Sequence, residues 1–92
     1  METLLFGLGV LVSTPGALEA ISKSGETIET FLARHSTGDW GDVCPDDKKE
    51  NDLSATSGFR LLSVYKLPDG RKIWVITEAD RSSTTVLLPE EY

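Results

Sequence analysis

The clearest secondary-structure signals of the sequence lie between Phe59 and Leu88. This stretch reads Phe59-Arg60-Leu61-Leu62-Ser63-Val64-Tyr65-Lys66, then Leu67-Pro68-Asp69-Gly70-Arg71, then Lys72-Ile73-Trp74-Val75-Ile76-Thr77-Glu78, and after five polar or small residues it resumes as Thr84-Thr85-Val86-Leu87-Leu88. Two apolar runs rich in β-branched and aromatic residues flank a Pro-Asp-Gly turn signal, which is typical of a β-hairpin. Pro68 presets φ for the first turn position, and Gly70 supplies the positive φ that a type I turn with a following bulge needs. The stretch predicts a three-stranded antiparallel meander, with strands near residues 59–66, 72–78 and 84–89.

The N-terminal half predicts the elements that cover this meander. Leu8–Val12 is a short apolar run, β-branched enough for a strand, and Thr14 followed by Pro15 is typical of a helix start. Helices are expected near residues 15–24, 27–36 and 45–56. The third helix is predicted to be polar and mostly exposed, and to pack through Leu53 and its neighbours. The predicted fold is therefore α+β: a short N-terminal strand and two to three short helices packed on a C-terminal three-stranded antiparallel meander.

Hydrophobic periodicity predicts which side chains form the core. The second strand of the meander is apolar on both faces, and three short helices can cover only one face well. The partly uncovered second face favours a homodimer through the sheet. The residues expected to be mostly buried are Leu18, Ile21, Ile28, Phe31, Leu32, Leu61, Val64, Val75 and Val86.

Composition places the chain among ordinary globular proteins with one domain. Its 92 residues are 39% hydrophobic and 26% charged, and they leave no room for a second core. Cys44 is the only cysteine, which excludes an intramolecular disulfide and indicates a reducing compartment. The apolar start carries Glu2 where a signal peptide needs positive charge, and no run approaches the roughly 20 apolar residues of a membrane span. We expect a cytoplasmic protein without a membrane segment.

Acidic residues are concentrated in one segment of the chain. The formal net charge is −6, which works against direct binding of nucleic acid because phosphate neutralisation needs a basic face. The segment from Asp39 to Asp52 holds six acidic residues and two lysines, a net charge of −4 that leaves only −2 for the rest of the chain. Such a segment is suited to a basic protein partner.

Several motifs, taken in their order and spacing, resemble one group of small bacterial proteins. They are Gly9 to Leu18, Leu32-Ala33-Arg34-His35, Gly38-Asp39-Trp40-Gly41, Ile73 to Ser82 and Thr84 to Pro89. The chain resembles a family of small uncharacterised bacterial proteins of plasmids, phages and other mobile elements, some labelled plasmid-related or named as restriction-enzyme subunits. The resemblance covers nearly the whole chain and implies a bacterial, mobile-element context with no established activity. A complete modification subunit is excluded, since 92 residues cannot hold a methyltransferase domain.

His35 is the only histidine, so an acid–base role at neutral pH falls to it first. The alternative is a cation at a helix C-terminus that stabilises the helix dipole beside Trp40. His35, Asp39, Asp42 and Cys44 match no known metal-ligand spacing, because the set lacks a second histidine and a paired cysteine. No metal or cofactor is therefore expected, and Cys44 is expected to be a semi-buried thiol.

Residues 77–85 connect two strands with more polar side chains than a turn needs. One interpretation is structural: Glu78, Asp80 and Arg81 form a local ion-pair network that fixes the turn. The other is an anion-binding site, in which Arg81 with Ser83 and Thr85 holds a group such as phosphate.

Two functions from different classes fit these residues. The first is a non-enzymatic protein-interaction module whose acidic segment, with exposed faces of Trp40 and Val43, binds a basic protein such as one that handles nucleic acid. Alternatively, Trp40 caps the core beside His35. The partner-binding residues of the module are Asp39, Trp40, Asp42, Asp46 and Asp47. The alternative is a small ribonuclease with the layout of barnase and colicin-type toxins, which is a similarity of layout alone. It needs His35 as acid–base, Arg60 or Arg81 on the phosphate and Thr84 or Thr85 as a donor, with His35, Arg81 and Thr85 in one concave site.

Overall fold

The computed structural model describes residues 6–92, without the side chain of Thr56. The helices are α1 (Pro15–Lys23), α2 (Ile28–Ser36) and α3 (Pro45–Ser57), and the strands are β1 (Val10–Ser13), β2 (Leu61–Lys66), β3 (Lys72–Thr77) and β4 (Ser83–Leu87). A short 3-10 helix, Pro89–Glu91, follows β4. The predicted α+β class is confirmed, and each predicted helix and strand lies within a few residues of its observed bounds.

The strands form one mixed sheet in the order β1-β4-β3-β2. The strands β2, β3 and β4 make the predicted antiparallel meander, but β1 pairs with β4 in parallel, with Leu11 opposite Thr84. The prediction of a purely antiparallel, three-stranded sheet is therefore wrong. The apolar run at the N-terminus is long enough for a strand, but its pairing with β4 joins residues more than 70 positions apart, which no local pattern encodes.

Two local signals form the structures that they predict. In the β2–β3 hairpin, the Gly70 N–H donates to the Leu67 carbonyl oxygen at 2.9 Å, and Gly70 has a φ of 94°. At the start of α1, the Thr14 hydroxyl oxygen accepts a hydrogen bond from the Ala17 N–H at 3.1 Å. Both fix the direction in which the chain enters the sheet or the helix.

The helices α1 and α2 cover one face of the sheet. Ala17, Ala20 and Ile21 of α1 and Phe31 and Leu32 of α2 pack against a layer of sheet side chains. That layer consists of Tyr65, Ile73, Val75 and Val86. Since fully burying one such side chain contributes about 1.5–3 kcal/mol, this interface supplies most of the hydrophobic stabilisation.

The core prediction needs three corrections. Leu18 is 49% exposed, because α1 turns the small side chains of Ala17 and Ala20 toward the sheet and leaves Leu18 on its outer side. Ile28 and Val64 are only half-buried. The other predicted core residues are buried: Ile21, Phe31, Leu32, Leu61, Val75 and Val86.

The opposite face of the sheet is covered only in part. Leu62, Val64 and Trp74 are half-buried there. Tyr92 packs on Trp74 with ring centroids 5.5 Å apart, and the Arg60 guanidinium lies over the Tyr92 ring. Within residues 6–92, no helix combines the length and apolar character that crossing a membrane requires.

The β2 edge of the sheet is closed by polar and backbone groups. The Val64 N–H donates to the Trp40 carbonyl oxygen at 3.0 Å, and the Asp42 N–H donates to the Val64 carbonyl oxygen at 2.6 Å. The Asn51 side chain donates to the Leu62 carbonyl oxygen at 2.6 Å and accepts from the Leu62 N–H at 3.1 Å. We call Trp40, Gly41, Asp42 and Asn51 the edge cap. It satisfies the outward-facing backbone groups of Leu62 and Val64.

Candidate functional site

His35, the predicted acid–base group, lies in the last turn of α2 and is fully buried. Its Nδ1 lies 2.5 Å from the Ser63 hydroxyl oxygen and its Nε2 lies 2.9 Å from the Thr77 hydroxyl oxygen. The rings of Phe6 and Trp40 pack edge-on against the imidazole, with centroids 5.3 and 5.6 Å away. A side chain enclosed in this way cannot touch a substrate.

The histidine belongs to a chain of buried hydroxyls. The hydroxyls of Thr77 and Thr84 are 2.8 Å apart, and the Thr84 hydroxyl donates to the Leu8 carbonyl oxygen at 2.7 Å. Among the described residues, every buried side-chain nitrogen and oxygen has a hydrogen-bond partner. Burial, and to a lesser extent the charge of Arg81, lowers the pKa of His35 from 6.5 to about 4. His35 is therefore neutral at pH 7, and its predicted role as a helix-terminal cation is wrong.

Arg81 fixes the β3–β4 connection through carbonyl groups. Its guanidinium donates to the carbonyl oxygens of Phe59 and Ser54, both at 2.6 Å, and more weakly to those of Glu78 and Ala79. Among residues 6–92, Arg81 makes no ion pair, so the predicted Glu78–Asp80–Arg81 ion-pair network is wrong. The side chain instead ties the turn to the C-terminal end of α3.

The residues of the predicted anion site and of the ribonuclease do not converge. Thr84 lies opposite Thr77 on the face covered by α1 and α2, so Thr85, one residue later, belongs to the other face, as does Ser83. Arg81 lies over the Phe6 ring, on the covered face, and its guanidinium donates hydrogen bonds to backbone carbonyl oxygens. Arg60 donates to the Tyr92 hydroxyl at 2.7 Å on the opposite face. The structure gives neither the anion site nor the ribonuclease a common pocket.

The hypothesis that Trp40 exposes an aromatic face to a partner is wrong, and the alternative, in which Trp40 caps the core beside His35, agrees with the structure. The side chain is 2% exposed and stacks on Phe6. Its Nε1–H donates to the Asp52 carboxylate at 2.8 Å. Pairing of the indole with a carboxylate twelve residues later lets a large aromatic residue in a charged segment enter the core.

The acidic segment divides into structural and free carboxylates. Asp39 pairs with Arg34 at 2.6 Å, and Asp52 pairs with Lys48 at 3.1 Å. The hydrogen bond from Arg34 lowers the pKa of Asp39, and the one from Trp40 lowers the pKa of Asp52. The remaining carboxylates are exposed and form no ion pair with any described residue: Asp42, Asp46, Asp47 and Glu50.

No candidate metal centre is present in the described part of the chain. Residues 6–92 hold no group of three or more histidine, cysteine, aspartate or glutamate side chains placed to bind an ion. Cys44 is a free thiol and is exposed, where the sequence had predicted a semi-buried one. It sits at the N-terminal end of α3, ahead of Pro45.

An open groove of about 360 Å³ lies on the partly covered face of the sheet. Its lining residues are Asn51, Arg60, Leu62, Trp74, Ile76 and Tyr92. Asn51 joins the groove to α3, and Asp47 lies one helical turn before Asn51 on the same side of that helix. The sequence analysis missed this groove because Tyr92 is remote from Trp74 in the chain. The shared face of Leu62, Trp74 and Ile76 was the one available signal.

Comparison of the chain with known proteins found no matching family model, no matching curated protein and no matching solved structure. The groove and the acidic helix α3 beside it are therefore the features that indicate a function.

Proposed function

We propose that this protein is a non-enzymatic interaction module that binds a basic protein through the groove and the acidic residues of α3. The observation that supports it is the juxtaposition of an open, aromatic-lined groove with a helix on which Asp46, Asp47 and Glu50 are exposed and form no ion pair with a described residue. A cytoplasmic, bacterial and mobile-element setting, implied by the cysteine content and the resemblance, belongs to the same proposal.

The groove supplies the apolar part of the proposed interface. Trp74 and Tyr92 are the large aromatic side chains in it, and aromatic residues with one exposed side are typical interface anchors. Arg60 also contacts Tyr92, through a cation–π contact with the ring and a hydrogen bond to the hydroxyl. The ring is therefore partly ordered before a partner arrives, which reduces the entropy lost on binding.

The acidic helix supplies the electrostatic part. Asp46, Asp47 and Glu50 are exposed on α3, and the segment from Asp39 to Asp52, in which Lys48 and Lys49 are the basic residues, carries a net charge of −4. Charges of this density accelerate encounter with a basic surface and orient it, and they add less to the final affinity. Asp42, at the edge cap, extends the same negative surface. Asp39 and Trp40 act inside the fold and are not part of the proposed interface.

The proposal is tested with four forms of the protein used as bait in extracts of the native host. They are the wild type, Asp46→Lys with Asp47→Lys, the groove variant Tyr92→Ala, and a charge-matched control, Glu78→Lys with Glu90→Lys. Glu78 and Glu90 are exposed and lie outside both the groove lining and α3, and their reversal changes the net charge by the same amount. Circular dichroism checks that all four forms fold.

A basic protein retained by the wild type and the control, but lost from both other variants, is the expected result. For that protein, the α3 variant should show slower association at low salt, and added salt should weaken wild-type binding. Capture of the same proteins by all four baits would show that the acidic face is only solvated surface.

A further inference from the structure

Among residues 6–92, no strand pairs with the outer edge of β1, which is one end of the sheet. The N–H groups of Val10 and Thr14 donate to the carbonyl oxygens of Ser82 and Val86, each at 3.0 Å. Since backbone groups alternate in direction along a strand, the N–H and C=O groups of Leu11 and Ser13 point away from β4. The side chains of Val10, Leu11 and Val12 are 66%, 54% and 46% exposed.

Within the described part of the chain, this edge lacks the usual protection against pairing. Monomeric proteins protect open edges with charged residues, proline or a covering segment. From Thr3 to Leu18 the chain holds no charged residue, and the proline that follows β1 lies beyond the open backbone groups, at the start of α1. In a chain of net charge −6, this uncharged run lets two copies approach with little local repulsion.

We propose that β1 pairs in antiparallel fashion with β1 of a second copy, about a two-fold axis at Val12. Leu11 then lies opposite Ser13 of the other copy, and the reciprocal pair completes four backbone hydrogen bonds. The two four-stranded sheets become one continuous sheet. This pairing is separate from the groove and acidic helix of the proposed function, because α3 lies at the β2 edge, on the far side of the sheet.

The backbone conformation selects this register over its neighbours. Outward-facing residues must pair with outward-facing residues, which allows axes at Leu11, Val12 or Ser13. An axis at Ser13 would place Pro15 in the ladder, but Pro15 has no N–H and is the first residue of α1. An axis at Leu11 would place Gly9 in the ladder, but Gly9 has a φ of 66° and cannot continue a strand. An axis at Val12 uses Thr14 instead, whose φ of −70° and ψ of 150° are extended.

A groove beside β1 has space for Leu11 of the second copy, which the proposed register places next to it. An open space of about 160 Å³ lies between β1 and α2, and its lining includes Ser13, Ile28 and Leu32. The register sets Leu11 of the second copy directly beside Ser13, on the same face. The small serine leaves room for the leucine, and Ile28 and Leu32 supply apolar contacts. A second copy therefore complements the edge in backbone and shape.

Four hydrogen bonds and a few apolar side chains make a small interface, so we expect a reversible dimer rather than a permanent one. Glu29 of α2 also lines the groove, and both copies carry the same net charge. Added salt should therefore strengthen self-association by screening this repulsion. Binding of a basic partner through α3 should weaken under the same conditions, so failure of one proposal is distinguishable from failure of the other.

Cysteine cross-linking tests the register in a Cys44→Ser background. Val12→Cys brings two thiols face to face on the axis, where the Cα atoms of a non-hydrogen-bonded antiparallel pair lie about 4.5 Å apart, within disulfide reach. Val10→Cys is the matched control on the same face, but its symmetry mate lies four residues further along the strand. Rapid oxidation of the Val12→Cys protein to a dimer, with little from Val10→Cys, is the expected result. Equal cross-linking of both variants would overturn the register.

Sedimentation equilibrium tests the association itself. Wild-type protein should dimerise reversibly as its concentration rises toward about 1 mM, and more strongly in high salt. Leu11→Lys, at an exposed position, should leave the circular dichroism spectrum unchanged and weaken dimerisation at least about tenfold. A wild-type protein that stays monomeric throughout this range would overturn the proposal and leave β1 free for a strand of another protein.

Discussion

The two edges of the sheet differ in whether their outward-facing backbone groups have hydrogen-bond partners. At β2, the edge cap gives a partner to the outward backbone groups of Leu62 and Val64. At β1, no strand formed by residues 6–92 lies beside the corresponding groups of Leu11 and Ser13, and three consecutive apolar side chains are exposed. The difference indicates that protection against strand pairing is built residue by residue, and that stability and association are separated between the two ends of the sheet. Four predictions test this separation.

The largest effect is expected at Gly41. Its φ is 74°, and an added Cβ would overlap the Val64 carbonyl oxygen, so Gly41→Ala should push the cap away from β2. Left-handed strain and lost backbone hydrogen bonds together should lower the free energy of unfolding by about 3–5 kcal/mol. Gly58→Ala is the control, since Gly58 has a similar φ of 80° with open space around it and should lose only about 1–2 kcal/mol. Urea denaturation measures both, and equal losses would mean that the cap does not press on β2.

Acid should lower the free energy of unfolding through His35, which is buried against Ser63 and Thr77 on the face of the sheet that α1 and α2 cover. Its pKa is about 4 in the folded protein and 6.5 in an open chain, so between these values the unfolded state binds the extra proton. The stabilisation is complete above about pH 6.5, declines as the pH falls, and reaches a loss of about 3 kcal/mol near pH 4. The His35→Gln protein should be less stable than the wild type at pH 7. Because it lacks the imidazole, its stability should change little between pH 6.5 and pH 4. Thermal melting at several pH values checks this, and parallel profiles for both proteins would contradict it.

A smaller loss is expected from Asn51→Ala. The substitution removes both hydrogen bonds to Leu62 and should lower the free energy of unfolding by about 2 kcal/mol. Glu50→Ala is the matched control, because Glu50 is the exposed neighbour on the same helix. Chemical denaturation compares them. A control as destabilised as Asn51→Ala would place the effect in α3 rather than at the edge.

The smallest effect is expected at the open edge. Val10→Thr keeps a β-branched side chain at a position that is largely exposed, so stability measured at low protein concentration should change by less than about 0.5 kcal/mol. A loss comparable with that of Asn51→Ala would show that β1 contributes to the core and that the two edges are less different than proposed.

Local signals predicted the elements of this fold but not how they meet. Pro68 and Gly70 set the hairpin, and Thr14 with Pro15 set the start of α1, because each acts on neighbouring residues only. The parallel pairing of β1 with β4 depends on the whole chain between them, so the sequence could not reveal the fourth strand of the sheet. Leu18 was misassigned for a related reason: its helix is apolar enough on several sides that only packing decides which side faces inward.

The candidate site was harder to predict, because the exposure of a side chain was inferred from its residue type and its neighbours in the sequence. His35 was expected to be a cation at a helix end, and exposure of Trp40 was weighed against packing on the core. Both side chains are buried, and each has a hydrogen-bond partner from elsewhere in the chain: Asp52 for the indole, and Ser63 with Thr77 for the imidazole. The hydroxyls of Ser63 and Thr77, on neighbouring strands, carried a signal in retrospect. Polar residues on the inward face of an apolar strand indicate a buried polar partner.

The edge cap also sets a limit on the size of any assembly. A sheet with two open edges can add copies at both ends and grow into a filament, because each addition exposes a fresh edge of the same kind. The proposed pairing at β1 would use the edge that the described residues leave uncapped in each copy, and both outer ends of the joined sheet would be β2, already closed by Gly41 and Asn51. The capped β2 strand would then prevent further addition, so that association through β1 would stop at a dimer.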